Sequence, residues 1–214
     1  MTRRTESAAN LWFANPGMAA LLADLRRVLR GCETILDVGC GWASPLRYLC
    51  DGRLTGLDGY APSLEKAKEL RTHDEFLLGD VREVGGQLAA RKFDAVVAMD
   101  VIEHLTKPDG HKMLAGMESL ATKCVVIFTP NGFVPQHSHD GDLQEHLSGW
   151  DPAEMRQAGY EVCGMHGPKG LRGEKAALKY WPRPFWSLVS IAAHYTYTRS
   201  CPEKAFSIFC VKRF

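Results

Sequence analysis

Apolar and polar residues follow two rhythms along this chain. Short apolar runs recur between longer stretches in which apolar residues return at helical spacing, as in strands joined by crossover helices. At Val96–Val97 and Val125–Phe128 the apolar residues are consecutive, which is typical of a parallel sheet covered on both faces. We therefore predict an α/β fold with a doubly wound sheet. The predicted strands are Thr34–Val38, Leu54–Asp58, Glu75–Leu78, Phe93–Met99, Cys124–Thr129, Tyr160–Met165 and Phe206–Lys212.

Three of the helices predicted between these strands have local start or spacing signals. The first, Leu64 to Arg71, follows Pro62, a residue favoured in the first helical turn. The second, Lys112 to Leu120, alternates apolar and polar residues at helical spacing. The third begins at Asp151, where a carboxylate can cap the helix and Pro152 can follow as the first helical residue.

Composition indicates one globular domain without a polyanionic partner. The 214 residues are 45% hydrophobic and 24% charged, and the formal net charge is +1, so no nucleic acid is expected to bind. Seven cysteines, odd in number and without a C-x-x-C pair, argue against a disulfide framework and a zinc knuckle. With no apolar run of signal-peptide or bilayer-spanning length, we expect a soluble, cytoplasmic protein.

The charge is unevenly distributed. Residues 167–214 carry nine basic and two acidic side chains, a net charge of +7, which leaves −6 for residues 1–166. This basic region also holds Tyr180, Trp181, Phe185, Trp186, Tyr195 and Tyr197. Lys169, Arg172, Lys175 and Lys179 beside these rings would suit an acceptor that is flat or greasy and also anionic. The alternative is a peripheral membrane contact through residues 180–199.

The sharpest local signal is the segment Ile35 to Ala43, in which a strand runs into a glycine-bearing turn and then a predicted helix. Glycines there let a ligand approach the backbone. The dinucleotide pattern G-x-G-x-x-G fails because its sixth position is Ser44, and Asp37 would repel a pyrophosphate. A carboxylate suits the ammonium and sulfonium of S-adenosylmethionine, although such a turn can also simply join a strand to a helix.

Three further predicted strands end in an aspartate: Asp58, Asp80 and Asp100. A single aspartate in such a place is more often a helix cap than a ligand. Ligands of open α/β sheets bind at the carboxyl ends of the strands, so we expect these carboxylates to converge on one crevice. Asp58 lies where an acidic side chain can accept both ribose hydroxyls.

Four segments together, LDVGCGWA, LTGLDGYAPSLEKAK, LLGDVREV and FDAVVAMDVIEHL, resemble class I S-adenosylmethionine-dependent methyltransferases, and in particular the small-molecule branch similar to ubiquinone-biosynthesis methyltransferases. The likeness covers about Thr34 to Gly132. It departs at Ala43, where many relatives have a third glycine. The resemblance implies a Rossmann-like seven-stranded sheet, mostly parallel, whose antiparallel last strand is inserted between the fifth and sixth.

The resemblance also assigns roles in binding S-adenosylmethionine. It places Asp37, Gly39 and Gly41 at the methionine end, Asp58 at the ribose, Gly59 beside the adenine, Asp80 with the Val81 amide at the adenine edge, and Asp100 in the crevice. Cys40 and Val101 complete the predicted cofactor-binding set. It implies transfer of a methyl group to an oxygen or nitrogen of a small-molecule acceptor.

His104 follows the fourth strand and is the first candidate for a general base, although a histidine there can equally cap the next helix. Candidate substrate contacts are Glu103, Asn131, His137 and His139. The histidines after Asn131 show no fixed ligand spacing, so no metal site is predicted.

The segment after the fourth strand reads D-V-I-E instead of the N-P-P-Y or D-P-P-Y of enzymes that methylate adenine in nucleic acid. The alternative function is a membrane- or polyanion-associated methyltransferase, or a cofactor-binding protein, acting on RNA or protein. We predict one domain: a helical cap at 1–33, a cofactor-binding core at 34–166, a cap insertion at 167–204 and the last strand at 205–214. The identity of the acceptor and the oligomeric state stay open.

Overall fold

The computed structural model describes residues 18–136, 145–173 and 176–214. One seven-stranded sheet runs through it in the order β3-β2-β1-β4-β5-β7-β6. The strands are β1 (Thr34–Val38), β2 (Arg53–Asp58), β3 (Glu75–Leu78), β4 (Phe93–Met99), β5 (Ala121–Pro130), β6 (Glu161–Pro168) and β7 (Ala205–Arg213).

The first five strands are parallel, and β7 pairs antiparallel with both β5 and β6. Val126 lies opposite Val211 in the β5–β7 pair, and Glu161 lies opposite the same valine in the β6–β7 pair. The predicted fold class is confirmed, including the insertion of the last strand between the fifth and sixth.

The helices are α1 (Ala19–Val28), α2 (Ala61–Leu70), α3 (Val84–Gln87), α4 (Lys107–Leu120), α5 (Pro152–Gln157) and α6 (Arg183–Ala193), the last followed by a π-helical turn, His194–Thr198. The predictions for α2 and α4 started too late. In α4 the side chain of Thr106 caps the helix by accepting the Asp109 amide, which allows it to begin at Lys107. The start of α5 is as predicted, since Asp151 accepts the amide of Glu154 at 2.9 Å.

Neighbouring apolar residues of the central strands point into two different cores. Val96 and Val125 belong to the cluster on one face of the sheet, whereas Val97 and Val126 belong to the cluster on the other. All four side chains are fully buried. The consecutive apolar pattern in the sequence therefore reflects a sheet with helices or loops on both faces.

One predicted helix does not form. After the glycine turn the chain makes only a short 3-10 helix, Leu46–Tyr48. Pro45, which has no backbone N–H, stands at its N-cap, and the chain must return to β2 by Arg53. The α-helix that the sequence pattern predicts after the glycine turn is therefore absent from this part of the described chain.

All seven cysteines lie in the described part of the chain and none forms a disulfide. Within the described ranges, each helix is too short or too polar to cross a lipid bilayer. The expected cytoplasmic location and the four segment boundaries stay predictions.

Candidate active site

The glycine turn after β1 depends on its glycines for conformation and for space. Gly39 and Gly41 have φ angles of +68° and +54°, a region that side chains strongly disfavour. A Cβ atom on Gly39 would lie 2.5 Å from Cγ2 of Val101, which is too close. The amides of Gly39 and Cys40 both donate to the Leu57 carbonyl, so the turn is fixed to the end of β2.

Two backbone amides hold the carboxylate of Asp58 in place. Gly41 donates to Oδ2 and Tyr60 donates to Oδ1, each at 2.8 Å. A carboxylate offers about four lone-pair positions, so both oxygens can still accept hydroxyl groups. Asp58 thus joins the glycine turn to the start of α2 and stays able to bind a diol.

Asp37 is oriented by a buried chain of hydrogen bonds. Its Oδ2 accepts the hydroxyl of Ser44 at 2.6 Å and lies 3.0 Å from Nε2 of His73. The other ring nitrogen of His73 lies 3.0 Å from the Thr72 hydroxyl. The sequence analysis missed His73, because the histidine is 36 residues from its partner and follows no motif.

A cavity of about 610 Å³ lies at the carboxyl edge of the sheet. Of the predicted cofactor-binding residues, Asp37, Cys40, Gly41 and Asp100 line it, whereas Gly39, Asp58 and Val101 are not part of its lining. It is also lined by Trp42, Ala43, Ser44, Tyr60, Pro62, Ser63, Lys66 and Met99. The ammonium of Lys66 lies 3.3 Å from the centre of the Trp42 ring, so a cation and an aromatic face stand together at this wall.

The sequence offers one signal for the residues that were missed. Tyr60, Ser63 and Lys66 follow Asp58 directly, on and just before the first turns of α2. In a sheet of this type the loop and helix after each strand end border the same crevice, so they could have been included with Asp58.

Asp80 and its neighbours lie outside the lining of this cavity. The side chain of Asp80 caps the 3-10 helix Val81–Glu83 by accepting the Arg82 amide at 2.9 Å, and it pairs with the Arg82 guanidinium. The hydrogen bond from the guanidinium holds the pKa of Asp80 below its ordinary value. Gly59 is exposed, and Val81 packs at the edge of the core. Their assignment to the adenine stays a prediction.

Glu103, His104 and His146 form a second group beside the cavity. One ligand atom from each lies within 4.8 Å of the others. Nδ1 of His104 lies 3.0 Å from the Glu145 carbonyl, and Nδ1 of His146 lies 2.6 Å from the Val134 carbonyl. Because carbonyls only accept, both rings carry a proton on Nδ1, and in the neutral form of each ring the lone pair is on Nε2.

The pKa of Glu103 is raised here. Glu103 is buried, its Oε2 accepts the Thr129 hydroxyl at 2.9 Å, and its Oε1 has no partner among the described residues. Burial, reinforced by the charge of Asp100, raises the pKa of Glu103 well above 4.5. Asp100 itself is exposed and opens into the cavity.

This group matches the requirements of a divalent cation. Two imidazoles, each fixed by a carbonyl at Nδ1, and the Oε1 of Glu103, once a cation displaces the proton of that carboxyl group, form a common donor set for such ions. No metal site was predicted from the sequence, because His146 lies far along the chain from Glu103 and His104 and the fold alone brings them together.

The remaining candidates divide into two kinds. Asn131 is buried, and its side-chain amide donates to the carbonyls of Pro202 and Ala205 at 2.7 and 2.8 Å, so it ties the end of β5 to the start of β7. His137 and His139 lie outside the described residues.

Arg172, expected to contact the substrate, instead forms hydrogen bonds within the protein. Its guanidinium donates to the carbonyls of His166 and Ala176 at 2.6 and 2.7 Å and lies 3.3 Å from the Ser190 hydroxyl. Burial lowers the pKa of Arg172. The side chain therefore braces the segment between β6 and α6, while Lys169 and Lys179 remain exposed.

Comparison with known proteins agrees with this geometry. Residues 35–123 match the family model described as "Methyltransferase domain". The magnesium protoporphyrin IX methyltransferase of Synechocystis PCC 6803 with bound SAH has a similar fold: TM-score 0.55, 14% identity, 92% of this chain and 83% of that one. The methyltransferase domain of bacterial CtHen1-CN has a TM-score of 0.55 and 18% identity, over 91% of this chain and 97% of that one. A SAM-dependent methyltransferase from Archaeoglobus fulgidus has a TM-score of 0.54 and 14% identity, over 91% of this chain and 93% of that one. No curated protein sequence matches the chain.

Residues 35–123 therefore match a methyltransferase domain, and the fold around them is similar to that of S-adenosylmethionine-dependent methyltransferases. The narrower resemblance to ubiquinone-biosynthesis enzymes stays a prediction.

Proposed function

We propose that the protein transfers a methyl group from S-adenosylmethionine to an oxygen or nitrogen of a small-molecule acceptor. The observation that carries this proposal is a cavity of about 610 Å³ lined by Gly41 of the glycine turn and by Tyr60, whose backbone amides both donate to the carboxylate of Asp58. Similar folds solved with bound SAH and with bound SAM support the choice of donor.

Two aspartates bind different parts of the cofactor. Asp58 accepts the ribose hydroxyls, and Asp37, fixed by Ser44 and His73, faces the ammonium of the methionine end. Since methyl transfer is an in-line displacement, the enzyme must hold the acceptor atom about 3–3.5 Å from the methyl carbon and exclude water.

The acceptor is placed by the group that follows β4. Asp100 lines the cavity and Glu103, His104 and His146 lie directly beyond it, so the acceptor lies between these side chains and the methyl group. His104 can take a proton from the acceptor at Nε2. If a divalent cation is bound, Glu103, His104 and His146 hold it, and it supplies a lowered acceptor pKa.

The cofactor site is tested by calorimetry with S-adenosylmethionine and S-adenosylhomocysteine on the full chain. Asp58→Ala should weaken both by about 1.5–3 kcal/mol, because hydrogen bonds to a charged group are lost. Asp51→Ala is the matched control, since Asp51 is exposed and lies outside the cavity lining. Equal affinity of wild type and Asp58→Ala would remove Asp58 from the site.

The acceptor class is tested with labelled cofactor and a panel of phenols, amines, sugars and lipid-linked acceptors, run beside total RNA and a protein extract. Label transferred only to a small molecule supports the proposal. Label transferred only to RNA or protein contradicts it.

A further inference from the structure

Helix α6 and the turn after it present a row of apolar side chains to solvent. Trp181, Phe185, Leu188 and Tyr195 are 87%, 55%, 69% and 61% exposed. Phe185 and Leu188 lie one turn apart on α6, Trp181 stands just before the helix and Tyr195 in the π-helical turn after it. The Trp186 ring also contacts those of Tyr180 and Phe185, with ring centres 5.2 and 5.3 Å apart. We call Trp181, Phe185, Leu188 and Tyr195 the outer stripe.

The opposite side of the same segment is polar and buried. Ser190, His194 and Thr198 recur every four residues and are almost fully buried. Ser190 donates to the His166 carbonyl, and Thr198 to the Ala193 carbonyl. An ordinary surface helix buries its apolar side and exposes its polar side, whereas this segment does the reverse. The outer stripe therefore does not pack into the core of the described chain. Single exposed apolar residues are common, but an aligned row of large ones marks an interaction surface.

The charge beside the outer stripe selects its partner. Lys179 and Arg183 are exposed and flank Trp181, and the sequence has no acidic residue from Lys175 to Pro202. Arg199 is already paired with Asp24 at 2.6 Å. A second copy docked on the same face would place these cations against each other, which is unfavourable. Anionic lipid headgroups instead complement both the cations and the aromatic side chains.

We propose that the outer stripe docks the protein on an anionic lipid surface, with Trp181, Phe185 and Leu188 entering the headgroup region and Lys179 and Arg183 contacting the anions. This proposal is independent of the acceptor.

Flotation of the full chain with phosphatidylcholine vesicles, with and without phosphatidylserine, tests it. Trp181→Ser/Leu188→Ser should lower partitioning onto anionic vesicles at least about tenfold, since two large apolar side chains no longer leave water. Lys179→Glu/Arg183→Glu should lower it by about fivefold or more per charge, and wild-type binding should fall as salt rises.

Two controls lie away from the stripe. Phe214→Ser removes an exposed ring near the amino end of β5, where the Phe214 amide donates to Lys123, and Arg30→Glu reverses an exposed charge that precedes β1. Both should partition like wild type. Circular dichroism verifies that every variant is folded.

The proposal is overturned if wild type binds anionic vesicles no better than neutral ones, or if both stripe variants bind like wild type. It is also overturned if ultracentrifugation shows a dimer that Trp181→Ser/Leu188→Ser dissociates. Binding to single-stranded oligonucleotides in place of vesicles, lost in the same variants, would overturn it in favour of a nucleic-acid partner.

Discussion

Asp37 lines the cavity and Asp58 is bonded to two residues that line it, and the two carboxylates are held in different ways. The carboxylate of Asp58 is held by amides of the adjoining turns, whereas that of Asp37 is held in part by His73, which lies in the connection between α2 and β3. Both carboxylates could be predicted from sequence, because each stands at the end of a strand. His73 could not, since only the folded sheet brings its ring to Asp37. For the same reason His146 was not linked to Glu103 and His104.

The role of His104 is tested by His104→Gln. We expect turnover to fall about 10²–10⁴-fold, because a general base or a ligand at the acceptor is lost, while cofactor affinity stays nearly unchanged. Steady-state kinetics and calorimetry measure the two effects. His111→Gln is a suitable control on exposed α4. Wild-type turnover in His104→Gln would leave His104 a structural role only.

Chelation separates the two chemical roles open to His104. If the group of Glu103, His104 and His146 holds a divalent cation, dialysis against EDTA should abolish turnover and added Mg²⁺, Mn²⁺ or Zn²⁺ should restore it. His146→Gln should then be as inactive as His104→Gln. Full activity after chelation, with His104→Gln still inactive, would identify His104 as a base acting without a metal.

At the scale of elements, prediction succeeds where the physical pattern is local. The bounds of β1, β3 and β4 agree with the predicted ones. β1 and β4 are buried and stand out as short apolar runs between polar residues, whereas β3 is a partly exposed edge strand. The helix expected after the glycine turn failed, because Pro45 and the short return to β2 override the strand–turn–helix pattern. The exposed stripe of α6 was also unpredictable, since apolar spacing does not say which side faces the core.

The basic region between β6 and β7 carries a kinetic prediction. Lys169→Gln/Lys179→Gln should raise the Michaelis constant of an anionic acceptor, each exposed charge contributing about 0.2–1 kcal/mol, and the effect should shrink as salt rises. Cofactor affinity should not change. Arg172→Gln should instead lower the unfolding temperature, because its guanidinium braces the segment. Lys175 lies outside the described residues. Unchanged acceptor kinetics in the double variant would contradict a substrate role.

At the scale of the molecule, one ion pair joins the two ends of the described chain. Both guanidinium nitrogens of Arg199 donate to the buried carboxylate of Asp24, at 2.6 and 2.8 Å, across 175 residues of sequence. Burial by itself would raise the pKa of Asp24, but the hydrogen bonds and charges of Arg199 and Arg27 hold it below 3.8.

We expect Asp24→Asn to lower the free energy of unfolding by about 1–3 kcal/mol at pH 7. A lowered pKa stabilises the fold above the unfolded value of about 3.8, and that stabilisation disappears as the pH falls through the folded pKa. The difference from wild type should therefore shrink below about pH 3.8. Urea unfolding at pH 7 and pH 3 measures it, with Asp51→Asn as the exposed control. A difference that is the same at both pH values would contradict this account of the pair.

The position of β7 also bears on how the protein is made. The strand that comes last along the chain lies inside the sheet, so β5 and β6 have no partner along their facing edges until Ala205–Arg213 has left the ribosome. During synthesis both strands expose unpaired backbone groups, which are templates for aggregation. A chain truncated before Ala205 would therefore have two open edges, on β5 and on β6. Such a product is a substrate for chaperones and proteases, whereas loss of a strand at the sheet border would leave the interior ladder intact.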